Sequence, residues 1–479
     1  MKMTTSPIIN SVSSEDKYSF NVDTYKLNLK FISHIVISII TFFILLFPLG
    51  YRLPVGLSFI NAVIAALITI FFLTRYNFKE WFGKKVLFIL VFSFSLRLII
   101  GLIHFLVFIQ PDYFSNPENF HYLWDYDYNY SQMLIVSNTW HLHGIFSPLP
   151  EIFYSHNKNV FIQQFMGLIF YFSGDYVLNI AVWNSLMNIY TSAIIGFITY
   201  LNTKSQKMSL ISLTVIAFQP WGIISSIVWR DTTGMFLVAV AVFLIIGFKD
   251  NLIFAILFLP IAAFLASWQR SPYLFVIIFL FFYIFWNEKR LTNILLILFL
   301  LTFVFVIYNN KNNLLLQILD IGTFRGTYQG DGYLDLLSTP ILYQIPIRIL
   351  KAITGPFPWL QFFQKPLGYE YQPMEYLTSV FNLSIYIMVI PYVIRKLKKS
   401  KKLDYCFFMG IMLIFLGLLA WDVHSAYISI GIPFLIPEFS RIYKRNKFIK
   451  SIFISFTLFI LLHLVFGISS LRGKHTFGL

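Results

Sequence analysis

Charge is scarce in this chain, and cysteine is nearly missing. Asp, Glu, Lys and Arg make up 12% of the 479 residues, while 58% are hydrophobic. An ordinary soluble domain carries about twice that share of charge, so a water-facing globule is excluded. The single cysteine, Cys406, rules out an intramolecular disulfide framework and reads as a small apolar residue at the start of a span. No P-loop, no G-x-G-x-x-G before a helix and no G-x-S-x-G elbow occurs, which argues against ATP-driven work by this chain alone. Short alternating strands are also absent, which argues against a β-barrel. Internal repeats and low-complexity stretches are lacking too. About 30 largely polar residues precede the first apolar run, so no cleavable signal peptide is expected.

What the chain does have is a succession of apolar runs of roughly 16 to 25 residues, the length a helix needs to cross a bilayer. Crossings are expected near 32–49, 56–74, 86–109, 176–200, 209–228, 233–248, 252–267, 273–286, 291–308, 376–394, 405–421, 424–440 and 450–470. The fold class is therefore all-α, a polytopic transmembrane bundle of about 13 spans. Two apolar but interrupted segments, 159–173 and 340–353, read as re-entrant or interfacial. Aromatic content of 19%, mostly Phe, suits lipid-facing helices.

The net charge of +15 invites a nucleic-acid partner, but its distribution excludes one. With the N-terminus inside, the expected inner loops hold 24 of the 36 Lys and Arg, and the outer side holds 13 of the 21 acids. RKLKKSKK at 395–402 and RIYKRNKFIK at 441–450 are the strongest inner anchors, set beside anionic lipid. The organisation that follows is a cytoplasmic tail at 1–31, a hairpin of spans at 32–85 and a core at 86–440. Residues 441–479 supply a basic loop, a last span and a short outer tail. Two large segments, 110–175 and 309–375, are left on the outer face, and loops of that length are usually functional.

The candidate site residues are the charges that topology does not explain. Arg97 falls inside an apolar span, where insertion costs roughly 2.5–3.5 kcal/mol, so it needs a partner or a wet cavity. Asp125 and Asp127 sit in the first outer loop among Tyr126, Tyr128 and Tyr130. One of them could act as general base on an acceptor hydroxyl, or hold a divalent cation such as Mg or Mn with phosphate oxygens. On a helical turn the two would diverge by about 200°. Arg230 and Asp231 form a tight outer turn where the guanidinium could grip a phosphate and the carboxylate orient it. Arg270 repeats the theme at the next outer turn. In the second outer loop, Arg325, Arg348 and Lys351 lie among Gly, Pro and aromatic residues that suit sugar rings and a pyrophosphate. His424, in the last outer turn, could shuttle a proton. His141, His143 and His156 match no zinc spacing, so no metal site is assigned.

Taken together, these stretches resemble the membrane-embedded, polyprenyl-phosphate-sugar-dependent glycosyltransferases of the GT-C fold, and particularly their bacterial polysaccharide-assembly relatives. The resemblance rests on Arg97-Leu98 in a span leading to an acidic loop, on Asp127 to Leu134, and on Gly174 and Asn184. Pro220 to Asp231 and Gly355 to Trp359 extend it, so that it covers roughly residues 86–440. It implies a GT-C-like core in a bacterial plasma membrane. It further implies a catalytic carboxylate at Asp127 or Asp125, with Arg230, Arg325 and Arg348 holding the lipid phosphate. The expected partners are a polyprenyl-linked sugar donor, a glycan or lipid acceptor and membrane lipid. An O-antigen or capsule repeat-unit polymerase shares this parts list, and a lipid-linked oligosaccharide flippase or transporter is the alternative of another class.

Overall fold

The computed structural model describes residues 22–46, 53–77, 83–104, 124–151, 153, 160–220, 231–269, 273–285, 372–400, 404–419 and 430–476. Within them all regular structure is helical. Three helices open the chain, α1 (Val22–Leu46), α2 (Val55–Asn77) and α3 (Gly83–His104). Two more, α4 (Trp124–His143) and α5 (Val160–Ser173), occupy the first expected outer loop. Then come α6 (Val177–Thr203), α7 (Gln206–Ala217), α8 (Asp231–Gly247), α9 (Leu252–Gln269) and α10 (Tyr273–Phe285). The described chain closes with α11 (Gln372–Ser400), α12 (Tyr405–Leu419), α13 (Ile432–Ile442) and α14 (Arg445–Thr476).

Among the described residues five helices are long and apolar enough to cross a membrane, in α1, α2, α3, α6 and α11. Their outer faces confirm the solvent they are built for. On α1, Ile37, Ile40 and Ile44 lie three and four residues apart and are all exposed, as are Phe88 and Phe92 on α3. An exposed apolar stripe backed by buried Asn28, Ser38 and Ser93 inverts the pattern of a soluble helix. The chain is a multi-pass membrane protein.

The helix α6 is the axis of the bundle, with α2, α3, α5, α7, α8 and α13 packed around it. Its whole apolar window is buried, and Trp183 and Tyr190 are fully enclosed. Apolar area gives little drive for helix association in lipid, so close fit and interhelical hydrogen bonds carry the packing. Tyr190 Oη lies 2.7 Å from Ser38 Oγ on α1. Phe31 of α1 stacks on Phe197 of α6 with ring centroids 3.9 Å apart.

Several of the expected inner turns gather at one end. Asn28 donates to the Gly247 carbonyl, Asn202 Nδ2 lies 3.6 Å from Cys406 Sγ, and Lys249 Nζ stands 5.1 Å above the Tyr405 ring. Glu438 on α13 accepts from Lys396 on α11 at 2.5 Å. The opposite end holds Ser58, which donates to the Ser173 carbonyl, and Asn179, whose Nδ2 reaches Ser58 Oγ at 2.9 Å.

Two expectations change. The span expected at 209–228 is broken: its helix stops at Ala217, Phe218 and Gln219 lie outside it, and helix is marked again at Pro220, with 221–230 outside the described residues. Pro220 explains the stop, because a proline disfavours helical backbone at the residue before it, Gln219. Asp125 and Asp127 lie in the first turn of a helix rather than in a loop. The span expected at 291–308 and residues 309–371 of the second outer loop fall outside the described residues, while 372–375 open α11.

Helix α4 sits tightly on α5. A Cβ built on Gly167 would come 2.5 Å from Val136 Cγ1, closer than atoms can approach. Gly167→Ala should therefore destabilise the fold by about 1–3 kcal/mol, the usual penalty for overpacking. Thermal unfolding in detergent measures it, and Val136→Ala in the same chain should recover most of the loss.

Candidate functional site

The buried arginine defines the first half of the site. Arg97 is 0% exposed on α3 and faces the C-terminal end of the short helix α7. Its Nη2 donates to the Ala217 carbonyl at 2.6 Å and lies 3.4 Å from the Gln219 carbonyl. One turn earlier, Ser93 Oγ donates to the same Ala217 carbonyl at 2.5 Å. With its amide oxygen toward the guanidinium, Asn188 of α6 accepts from Nη2 at 2.9 Å and from Nε at 3.3 Å.

The physical logic is that of a helix end inside a membrane. The last carbonyls of α7 have no intrahelical donors and carry the negative end of the helix dipole, about half an elementary charge. The Thr214 and Ile216 carbonyls accept from the Phe218 and Gln219 amides beyond the helix, and the Ala217 carbonyl takes the cation and the hydroxyl instead. No carboxylate forms an ion pair with Arg97 among the described residues; backbone dipoles and Asn188 compensate it. Its Nη1 has no hydrogen-bond partner among those residues. One nitrogen of a fixed, fully buried cation is thus without a hydrogen-bond partner among the described residues, about 10 Å along α3 from its C-terminal end.

Asp231 stands close by along the same axis. It opens α8, is 8% exposed, and its charge suits the positive end of that helix. Two residues on, Thr233 Oγ1 accepts from Trp183 Nε1 at 3.0 Å and lies 3.2 Å from Asn184 Oδ1. Gln219 Nε2 lies 3.5 Å from Met235 Sδ, which ties the end of α7 to the start of α8. Asn184 and Asn188 are four residues apart on α6, on neighbouring turns about 6 Å apart. Arg97 and the start of α8 are therefore strung along one buried polar seam.

The second half of the site is the seat of α4. Tyr130 Oη donates to the Asp175 carbonyl at 3.2 Å, and Ser137 Oγ donates to its carboxylate at 3.3 Å. The His141 ring stacks on Tyr171 with centroids 4.5 Å apart. Asp175 lies in the turn between α5 and α6, where Gly174 takes φ +82°, a conformation glycine adopts without strain. Burial against α4 raises the Asp175 carboxyl above its ordinary 3.8, with Ser137 and His141 pulling the other way. Tyr130 and Ser137 belong to the stripe of α4 seated on Asp175, and Asp125 and Asp127 lie in the first turn of the same helix.

The structure thus joins Arg97 to the start of α8 with Asp231, and Asp125 and Asp127 lie in the first turn of α4. From Asp175 down to Asn188 the axis runs about 20 Å, so among the described residues the acidic helix and the buried arginine form two levels. Arg230, Arg270, Arg325, Arg348, Lys351 and His424 lie outside the described residues. Sequence reasoning passed over Asp175, Asn188 and Ser137. The signal for Asn188 was present, since two asparagines four apart on an apolar span must share a buried face.

Two measurements probe these levels. Arg97→Met strips the donors from the end of α7 and should cost about 2–4 kcal/mol in thermal stability, with Arg97→Lys losing less. An Arg97→Met protein as stable as the parent would show that the cation does not cap α7. For Asp175 the folded state favours the protonated carboxyl. Its contribution to stability is fully present below 3.8 and fades as pH rises through the higher folded value. Asp175→Asn should flatten the dependence of melting temperature on pH in that window. No family model, no curated protein and no solved structure matches this chain, so its function is argued from the geometry.

Proposed function

We propose that this chain is an integral membrane glycosyltransferase that moves a sugar from a polyprenyl-phosphate-type carrier to a glycan or lipid acceptor on the extracytoplasmic face. The observation that carries the reading is the fully buried Arg97 at a broken span, with one guanidinium nitrogen free and an acidic helix seated above it on the same axis. A lipid-linked phosphate is an anion that approaches from within the bilayer, and a guanidinium is suited to grip its oxygens. The proposed bundle has about 13 spans with the N-terminus in the cytoplasm of a bacterial cell.

In the reaction, Asp127 takes the proton from the acceptor hydroxyl as its oxygen attacks the anomeric carbon. The bond from that carbon to the phosphate oxygen breaks, and the electron pair leaves with the phosphate. Cationic side chains stabilise that developing charge, the role proposed for Arg230, Arg325 and Arg348 from the outer segments, while Arg97, a level deeper, meets the carrier's phosphate on its way in from the bilayer. Configuration at the sugar inverts because attack and departure occur on opposite faces. Asp231 orients the arginine beside it, while Arg270, Lys351 and His424 are the further candidates for headgroup and proton contacts.

One observation favours a second reading. The separation of about 20 Å along α6 between the seat of α4 and Arg97 leaves the cation working apart from the acidic helix. A polymerase joining whole lipid-linked repeat units would lean on arginines in that way.

Transfer of labelled sugar from a synthetic polyprenyl-phosphate donor in proteoliposomes separates these readings. Asp127→Ala should lower kcat by about 10²–10⁴-fold, the usual share of a general base. Asp125→Ala, on the opposite side of α4, should leave the rate close to that of the parent. Full activity in both variants would remove the carboxylate from the mechanism, and products grown by whole repeat units would favour the polymerase.

A further inference from the structure

A separate arrangement at the other end of the bundle concerns lipid rather than sugar. Glu438 on α13 is 1% exposed, and its Oε1 accepts from Lys396 Nζ at 2.5 Å and from Arg441 Nη1 at 2.7 Å. Arg441 Nη2 also lies 3.5 Å from Asp404 Oδ2 at the start of α12. This clamp draws the end of α11 onto the turn between α13 and α14, so two basic stretches more than 40 residues apart in sequence share one rim.

The clamp consumes the acids and leaves the remaining cations over. Arg395 and Lys398 on α11 are exposed, as are Lys444, Arg445, Lys447 and Lys450 around the start of α14. None of the six forms an ion pair among the described residues. Like charges held this close repel one another unless an anion sits among them.

The surface beside the rim identifies that anion. On α14, Arg445 heads a stripe of exposed Ile449, Phe453 and Phe456, spaced four, four and three residues apart. On α11, exposed Ile390 and Ile394 run up to Lys398 at the same spacing of four. The two helices pack together along their length. Each therefore presents an apolar track ending in a cation, the shape of an acyl chain joined to an anionic headgroup. A soluble polyanion would have no use for the tracks.

We propose that the rim of the α11–α14 seam is a binding site for an anionic phospholipid carrying two phosphates. The phosphates meet Lys398, Arg445 and Lys447, and the acyl chains lie along Ile394, Ile449 and Phe453. The site is independent of the glycosyltransferase reading and stands or falls without it.

The test uses the full chain in phosphatidylcholine nanodiscs with and without cardiolipin, reading retained lipid by native mass spectrometry and melting temperature by fluorescence. The parent should retain cardiolipin and melt higher with it. The triple variant K398Q/R445Q/K447Q should lose roughly a hundredfold in occupancy, the worth of three cations at an anionic surface. K84Q/K85Q, two charges removed at the start of α3, should behave as the parent. If the triple variant does not fold, R445Q and K447Q alone must each lower occupancy about fivefold. Equal retention by all the proteins would reduce the effect to a general lipid annulus and overturn the proposal. An equal rise in melting temperature from soluble polyphosphate in lipid of neutral charge would overturn the lipid as ligand.

Discussion

Everything at the centre of this molecule depends on how one helix is allowed to stop inside hydrocarbon. Helix α7 ends at Ala217, the next helical residue is Pro220, and the break leaves carbonyls inside the bundle without helical donors. The guanidinium of Arg97 and the hydroxyl of Ser93 answer them from α3, and Asn188 steadies the arginine from α6. The exchange is reciprocal. An arginine that would cost several kcal/mol alone in a membrane is held by dipoles, and an unfinished helix is held by a cation. Breaking the helix and burying the charge are a single solution, in which neither part is tolerable without the other.

That solution shapes the surroundings. Helix α6 must carry polar groups on faces turned to α3 and α8, so it has Asn184, Ser185 and Asn188 where a lipid-facing helix would have Leu or Phe. It can do so because neighbours cover it on every side. Hydrogen bonds between helices in lipid are worth only about 0.6 kcal/mol on average, so the Trp183–Thr233–Asn184 chain serves registration more than strength. Gly167, Gly410 and Gly431 permit the close approaches that let dispersion do the remaining work.

Much of this was legible in the residues. Apolar run length gave the helical class and the multi-pass character, and the scatter of Lys and Arg gave a sidedness that the clustering of Asn28, Asn202, Lys249 and Lys396 at one end agrees with. Arg97 stood out because a charge in a span is expensive. Other features were not legible for physical reasons. Apolar composition alone does not distinguish a continuous span from a broken one, so the stop at Ala217 was hidden although Pro220 marked it. The helix α4 is too polar to announce itself by periodicity, and Asp125 and Asp127 passed for a loop. Asp175 gains its environment only from α4 folding back upon it, a contact across 38 residues that no local pattern encodes.

Complete enclosure of α6 also has a bearing on biogenesis. Of the five helices able to cross, α6 is the least apolar, and its asparagines make it a poor candidate for partitioning into lipid alone. The three crossing helices ahead of it in the chain, α1, α2 and α3, are far greasier and enter first. They offer the newly made α6 a proteinaceous groove instead of bare bilayer, with Ser38 and Ser58 waiting to receive Tyr190 and Asn179. The order of synthesis thus doubles as an order of assembly, in which the most hydrophilic crossing is escorted by the segments translated before it.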